Sequence, residues 1–275
     1  MTTRLQEPLR VPTRLGCLHV RVVGSGPATV LWPSMFVDGH TFDPLLTLLP
    51  GRRLIVVDGP GLGASDPLRR RSTIAEAADA AHDLLTGSQA SVLGIEGPVD
   101  WVGNAFGGHV GYELARRPGV LRSLAAVSAP TEPVPPALLR QIRVLGPLLR
   151  AVGPIGPVRS AILAALLTDA STADPAIRTA VLDSVATPTR RSLSLALHSF
   201  IVDRVDVTAG LSEIEIPCLY VAGDDRGDWT PEAAGRAAAL TPSATAVTIP
   251  GSRTLVPLEQ PSALARELLS FWARL

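Results

Sequence analysis

Lysine is absent from this chain: all 25 basic residues are arginine. That excludes chemistry that runs through a side-chain amine, including Schiff bases, pyridoxal-phosphate aldimines and the lysine of a phosphate-binding loop. An excess of either charge is lacking too, because 25 acidic residues balance the arginines. With no net charge and no basic run longer than Arg69-Arg70-Arg71, nothing marks a nucleic acid or an anionic membrane as partner. Cysteine is limited to Cys17 and Cys218, both in apolar runs and without a CxxC spacing. They read as buried structural thiols, and neither a metal nor a cofactor is expected. No apolar run approaches the ~18 residues of a membrane helix. The N-terminal stretch Met1–Gly16 has no apolar core of the kind a secretion signal needs. The expectation is a cytoplasmic protein.

What is present is ample material for one large α/β domain: 275 residues, 46% of them hydrophobic. Short apolar runs predict strands at Leu18–Val23, Ala28–Trp32, Leu54–Asp58, Val99–Val102, Leu121–Ser128, Cys218–Ala222 and Ala244–Ile249. Near-continuous apolarity in runs this short suits strands buried on both faces of a mainly parallel sheet. Amphipathic stretches intervene. Thr73-Ile-Ala-Glu76 has the spacing of a capping box for a helix over Ile74–Leu85. Thr230-Pro231 and Pro261-Ser262 open two more, the last ending near Trp272. This alternation predicts a mainly parallel twisted sheet flanked by helices. One stretch breaks it. From 131 to 212 no strand is evident, only helical segments at Pro136–Ala151, Val158–Leu167, Pro175–Ser184 and Arg191–Val202. Such an insertion reads as a cap over the carboxyl edge of the sheet, where open α/β sheets bind ligands.

After the strand at Val99 comes Gly103-Asn104-Ala105-Phe106-Gly107-Gly108, then a helix. A glycine two before and two after a central residue, between strand and helix, describes a nucleophile elbow. Here the central residue is alanine, whose methyl group cannot attack anything. The chain resembles the α/β-hydrolase superfamily over nearly its whole length. Trp32-Pro33-Ser34 stands where that superfamily has an oxyanion-hole loop. Asp58-Gly-Pro-Gly-Leu-Gly-Ala-Ser65 matches its D-x-x-G-x-G-x-S turn. Ala222-Gly-Asp-Asp225-Arg-Gly-Asp228 resembles the strand end that carries the triad acid. Pro250-Gly-Ser-Arg-Thr254-Leu-Val-Pro is similar to the segment that carries the triad histidine. The resemblance implies a core of 1–130 and 213–275, a helical cap at 131–212, and two vacated triad positions, Ala105 and Thr254. Asp225 or Asp228 would be the surviving acid. Natural divergence explains both departures, whereas a single trapping substitution would explain only one.

The amide of Phe106 and a second amide from Ser34 or Met35 would form the retained oxyanion hole. Ser34 adds a hydroxyl, for which a turn bonded to its own backbone is the plainer reading. Among the five histidines, His19 and His82 read as structural. His40, beside Asp38, and His109, four residues after Ala105, are candidates for a replacement base, since imidazole titrates near neutrality. Surface placement of His40 and core packing of His109 are the competing readings. Trp32, Phe36, Asp38, Phe106, His198 and Trp229 are the expected substrate-binding residues around an apolar pocket. The leading reading is a non-hydrolytic enzyme, a cyclase, lyase or isomerase of a hydrophobic small metabolite. The alternatives are a small-molecule-binding pseudoenzyme and a hydrolase with a non-standard constellation. The sequence leaves the substrate and the oligomeric state open.

Overall fold

The computed structural model describes residues 7–275. Residues 1–6, part of the N-terminal stretch considered above for a secretion signal, lie outside them. One eight-stranded sheet organises the chain: β1 (Leu9–Thr13), β2 (Gly16–Gly24), β3 (Ala28–Trp32), β4 (Arg53–Val57), β5 (Val99–Asn104), β6 (Leu121–Val127), β7 (Cys218–Gly223) and β8 (Ala244–Ile249). Their spatial order is β1-β2-β4-β3-β5-β6-β7-β8. The β1–β2 and β2–β4 pairs are antiparallel and all others parallel. Central β5 and β7 are buried at every position, which is why they read as unbroken apolar runs.

The helices are α1 (Asp43–Leu46), α2 (Ile74–Thr86), α3 (Phe106–Ala115), α4 (Pro136–Val152), α5 (Gly156–Leu166), α6 (Asp169–Ala173), α7 (Pro175–Ala186), α8 (Arg190–Leu197), α9 (Pro231–Leu240), α10 (Val256–Glu259) and α11 (Pro261–Trp272). Two apolar clusters, one on each face of the sheet, hold them. One contains the buried faces of α2, α3 and α9, the other those of α1 and α11. The capping box forms as the spacing requires, with Thr73 and Glu76 each satisfying a backbone donor of the other. Helices α4–α8 all lie between β6 and β7. The neck of this insertion is closed by the Val207 amide, which donates to the Thr131 carbonyl at 2.9 Å. No helix among the described residues is long and apolar enough to cross a membrane.

Besides the short helices α1, α6 and α10, for which the sequence reading has no counterpart, two elements differ from the sequence expectation. The edge strand β1 was not foreseen, because Pro12 interrupts its pattern. Proline is tolerated there because an edge strand leaves one row of amides unpaired. The single helix expected over Arg191–Val202 divides into α8 and a π turn at His198–Val202. That turn ends with the Asp203 amide on the His198 carbonyl and delivers Arg204 to the interior.

Asp58 ends β4 as a node. Its carboxylate accepts from the amides of Gly39 (2.8 Å) and Ala64 (2.9 Å) and lies 3.0 Å from His19 Nδ1. This explains the D-x-x-G-x-G-x-S turn physically and gives His19 a structural place. The elbow is held more tightly still. A Cβ on Gly103 would lie 2.1 Å from the Gly107 carbonyl oxygen, and one on Gly107 would lie 2.2 Å from that of Trp32. Both obstacles are backbone and cannot swing aside. Gly107→Ala is therefore expected to cost at least ~3 kcal/mol, read as a lowered urea midpoint by circular dichroism. A wild-type midpoint would show that the close approach is not the constraint.

Candidate active site

Between the carboxyl ends of the central strands and the inserted helices lies a cavity, partly open to solvent, with about 970 Å3 of space free of protein atoms when the open solvent at its mouth is included. Its floor comes from Ser34, Met35 and Phe36 after β3, Ala105, Phe106 and His109 at the start of α3, and Ser128 after β6. Asp228 after β7 and Thr254 before α10 complete it. Its roof is the apolar side of α4 and α5, including Leu138, Ile142, Leu149, Val158 and Ile162. Phe106 stacks on Phe200 of the π turn at 4.3 Å, fixing the floor against the insertion.

Backbone strain concentrates here. Among the described residues the non-glycine positions with positive φ are Phe36 (75°), Ala105 (46°) and Ser128 (48°). All three line the cavity, at the carboxyl ends of the adjacent strands β3, β5 and β6. Each such residue costs on the order of 1–3 kcal/mol and persists only where the surroundings over-determine it. Ala105, with ψ −104°, keeps the sharp elbow conformation although its side chain is a methyl group. The Phe106 amide, first in α3, has no intrahelical carbonyl to pair with.

Thr254 is engaged with the end of α5. Its hydroxyl donates to the Ala165 carbonyl (2.9 Å), and its amide and that of Leu255 donate to the Leu166 carbonyl at 3.2 and 3.1 Å. The Arg253 guanidinium donates to the Ala164 carbonyl. These are the last carbonyls of α5, which a helix cannot satisfy internally, and the arginine faces the negative end of the helix dipole. Glu259 completes the fastening by accepting from the amides of Thr168 (2.7 Å) and Arg253 (2.8 Å). Asn104 Nδ2, just before the elbow, donates to the Thr254 carbonyl at 2.7 Å.

The two candidate acids separate. Asp225 is paired with Arg253 at 3.0 Å and does not line the cavity. Asp228 lines it and accepts from Arg204 at 2.8 Å. Arg204, which sequence reasoning missed, lies almost wholly buried in the same wall. No motif flags it, because the π turn that delivers it lies more than 90 residues from the elbow in sequence.

His109 is buried on the floor with Nε2 2.8 Å from the Pro130 carbonyl. Burial, reinforced by the Arg204 charge, pushes its pKa down to about 3, so the ring is neutral near pH 7. His40 lies outside the cavity, more than half exposed, with Nδ1 3.1 Å from Asp38. Its pKa is raised by that hydrogen bond. Asp38 is buried, caps the short turn at Gly39–Phe42, and does not line the cavity either. Three further expected lining residues sit behind the walls. Trp32 stacks on Trp101 beneath the floor at 5.3 Å, Trp229 meets Tyr220 edge-on at 5.9 Å, and His198 heads the π turn. Cys218 is buried in β7 with its thiol pushed up to about 12.

The His109 shift has a consequence for stability. Its folded pKa lies below the ordinary 6.5 of an unfolded imidazole. Between those values the unfolded chain takes up a proton that the folded chain refuses, so stability falls as pH falls through this window. The slope is at most ~1.4 kcal/mol per pH unit. His109→Gln is expected to lose part of the drop in urea stability between pH 7 and pH 5. An unchanged drop would show that His109 protonates freely in the folded protein.

Residues 19–267 match the alpha/beta hydrolase family. The chain is 30% identical over 270 residues to the polyketide synthase ThaQ of Burkholderia thailandensis, covering 90% of this chain but only 12% of that protein. It is 29% identical over 258 residues to a pimeloyl-[acyl-carrier protein] methyl ester esterase of Xanthomonas oryzae pv. oryzae, covering 85% and 90% of the two chains. A thermophilic esterase from Thermogutta terrifontis superposes with a TM-score of 0.85 over 98% of both chains, at 22% identity, a likeness of fold. The sheet order, the elbow and the match over residues 19–267 make this chain a member of the alpha/beta hydrolase family.

Proposed function

We propose that this chain is an enzyme that acts on a carbonyl group of a hydrophobic small metabolite without forming an acyl-enzyme, as an isomerase, lyase or cyclase. The observation that carries this reading is a strained elbow and a formed apolar cavity around positions that hold no nucleophile and no triad imidazole. Without a nucleophile and its adjacent base, serine-type acyl transfer is not available. The Phe106 amide, with an amide from Ser34 or Met35, would hold a developing enolate oxygen. Among the lining residues Asp228 is the carboxylate, and it would move a proton between carbons of the substrate while Arg204 orients it. An acyl or polyketide-type chain suits the apolar roof, in keeping with the names of the curated relatives. A scaffold without hydrolytic power would also spare ester or lactone bonds in such a substrate.

A medium-chain β,γ-unsaturated ketone in D2O tests the proposal. Conversion to the conjugated ketone with solvent deuterium incorporated is expected, and Asp228→Asn should lower kcat by ~10²–10⁴-fold, with a smaller change in KM. Saturable binding without exchange would favour the second reading, a binding protein. That reading draws on the pairing of both acids with arginines and on the neutrality of His109.

The vacated positions supply a further test. Ala105→Ser alone should give no burst with p-nitrophenyl esters. Ala105→Ser with Thr254→His should gain hydrolysis by ~10²-fold through the restored base. A burst from the single variant would show another base in reach and favour a hydrolase with a non-standard constellation.

A further inference from the structure

The balance of charge over the whole chain conceals a local excess. Between Glu132 and Asp169 there is no acidic residue, while Arg140, Arg143, Arg150 and Arg159 all fall in that stretch. The register of α4 sorts its side chains. Leu138, Ile142, Leu145 and Leu149 turn to the cavity. Arg140, Arg143, Val144 and Pro147, at i, i+3, i+4 and i+7, are exposed on the opposite side, with Arg150 exposed two turns beyond Arg143. Arg159 is exposed on α5, as are Arg190 and Arg191 at the start of α8, which packs against α4. Among the described residues none of these arginines has a carboxylate partner, and Arg159 and Arg190 reach only main-chain carbonyls. Outside the insertion most arginines are paired, as Arg10, Arg14, Arg52, Arg117 and Arg122 are.

Apolar side chains stand among these charges. Val144 is the most exposed large apolar residue described, at 74%, and Val152 and Ile155 follow at the α4–α5 junction, at 43% and 49%. Unpaired guanidinium groups mixed with exposed aliphatic side chains suit a partner that is anionic and apolar at once. A nucleic acid offers the first property, but α4 and α5 have no aromatic side chain on which bases could stack. An anionic lipid surface offers both, with phosphates that match planar guanidinium donors and an acyl boundary that takes aliphatic groups. We propose that the outward face of α4, with Arg159 and the start of α8, docks on an anionic phospholipid surface, the arginines on its phosphates and Val144, Val152 and Ile155 at its acyl boundary. The docking rests on this surface alone. Its use, passing a lipid-soluble substrate to the partly open cavity beneath α4, rests on the reading of that cavity as a substrate pocket.

The test is co-sedimentation of the full chain with vesicles of phosphatidylcholine alone or mixed equally with phosphatidylglycerol. Partitioning should be at least ~100-fold stronger on the anionic vesicles and should weaken as salt is raised. The triple variant Arg140→Gln, Arg143→Gln, Arg150→Gln should lose ~100-fold of it with an unchanged circular dichroism spectrum, at about tenfold for each arginine near the surface. Val144→Leu should tighten partitioning by about 3-fold through its extra methylene, a gain that a misfolded variant does not mimic. Equal partitioning on both vesicles, or none on either, would overturn the proposal. So would anionic partitioning that the triple variant and Val144→Leu leave unmoved, which would place the contact elsewhere. Retention on immobilised polyglutamate without partitioning on vesicles, lost in the triple variant, would give the face to an acidic protein and overturn the lipid surface. None of these readouts involves a ketone or turnover, so they are independent of whether the isomerase, lyase or cyclase reading holds.

Discussion

Everything above the sheet depends on how closely the start of α3 approaches the end of β3. Gly107 lies so near the Trp32 carbonyl that even a methyl group would collide, and Gly103 packs against the Gly107 carbonyl in the same way. These contacts force the intervening residue into a positive φ whatever its side chain. The elbow therefore persists in a chain that has alanine at its apex. Its persistence follows from packing, and it leaves the Phe106 amide without an intrahelical partner at the positive end of α3.

Ala105 and Thr254, the two positions read as vacated, differ in their surroundings. Ala105 keeps the strained elbow backbone with only a methyl side chain. The Thr254 segment is a fastening, with hydroxyl, amides and the neighbouring guanidinium all bonded to the last carbonyls of α5. Each neutral bond of this kind contributes about 1 kcal/mol, and together they tie the roof of the cavity to its floor. An imidazole at 254 would give up the hydroxyl bond but not the backbone bonds, so the insertion should remain docked on the core in that variant.

Much of this was legible in the chain. Central strands announce themselves because burial on both faces leaves no room for alternation, and the capping box at Thr73 is a local device that needs no tertiary partner. The elbow could be placed because its glycines are required by contacts within the motif itself, Gly103 against Gly107. The site was only half legible. Ser34, Met35, Phe36, Phe106, His109 and Asp228 reach the cavity, whereas Trp32, Asp38, His40, His198, Trp229 and Asp225 do not. Trp32 and Trp229 pack into aromatic clusters, Asp38, His40 and Asp225 are held by their own partners, and His198 heads the π turn, none of which motif position alone reveals. Arg204 escaped because its place depends on the π turn, whose extra residue per turn leaves no mark in the apolar pattern.

The charges around the cavity point the same way as its shape. Arg204 is paired with Asp228 and Arg253 with Asp225, while His109 is held neutral by burial. The walls thus carry no net charge to attract an ionic substrate, and an ion entering such a place would lose its hydration without a fresh counter-ion. An uncharged, largely apolar molecule loses little on entry. Once inside, charge developing on the oxygen of a substrate bound as proposed would be screened by few water dipoles, so a pair of fixed amides would act on it more strongly than the same donors would in solution. A site of this kind favours a reaction in which charge appears only transiently on a neutral substrate. It offers little to one that begins with an ion or ends in a carboxylate released against Asp228.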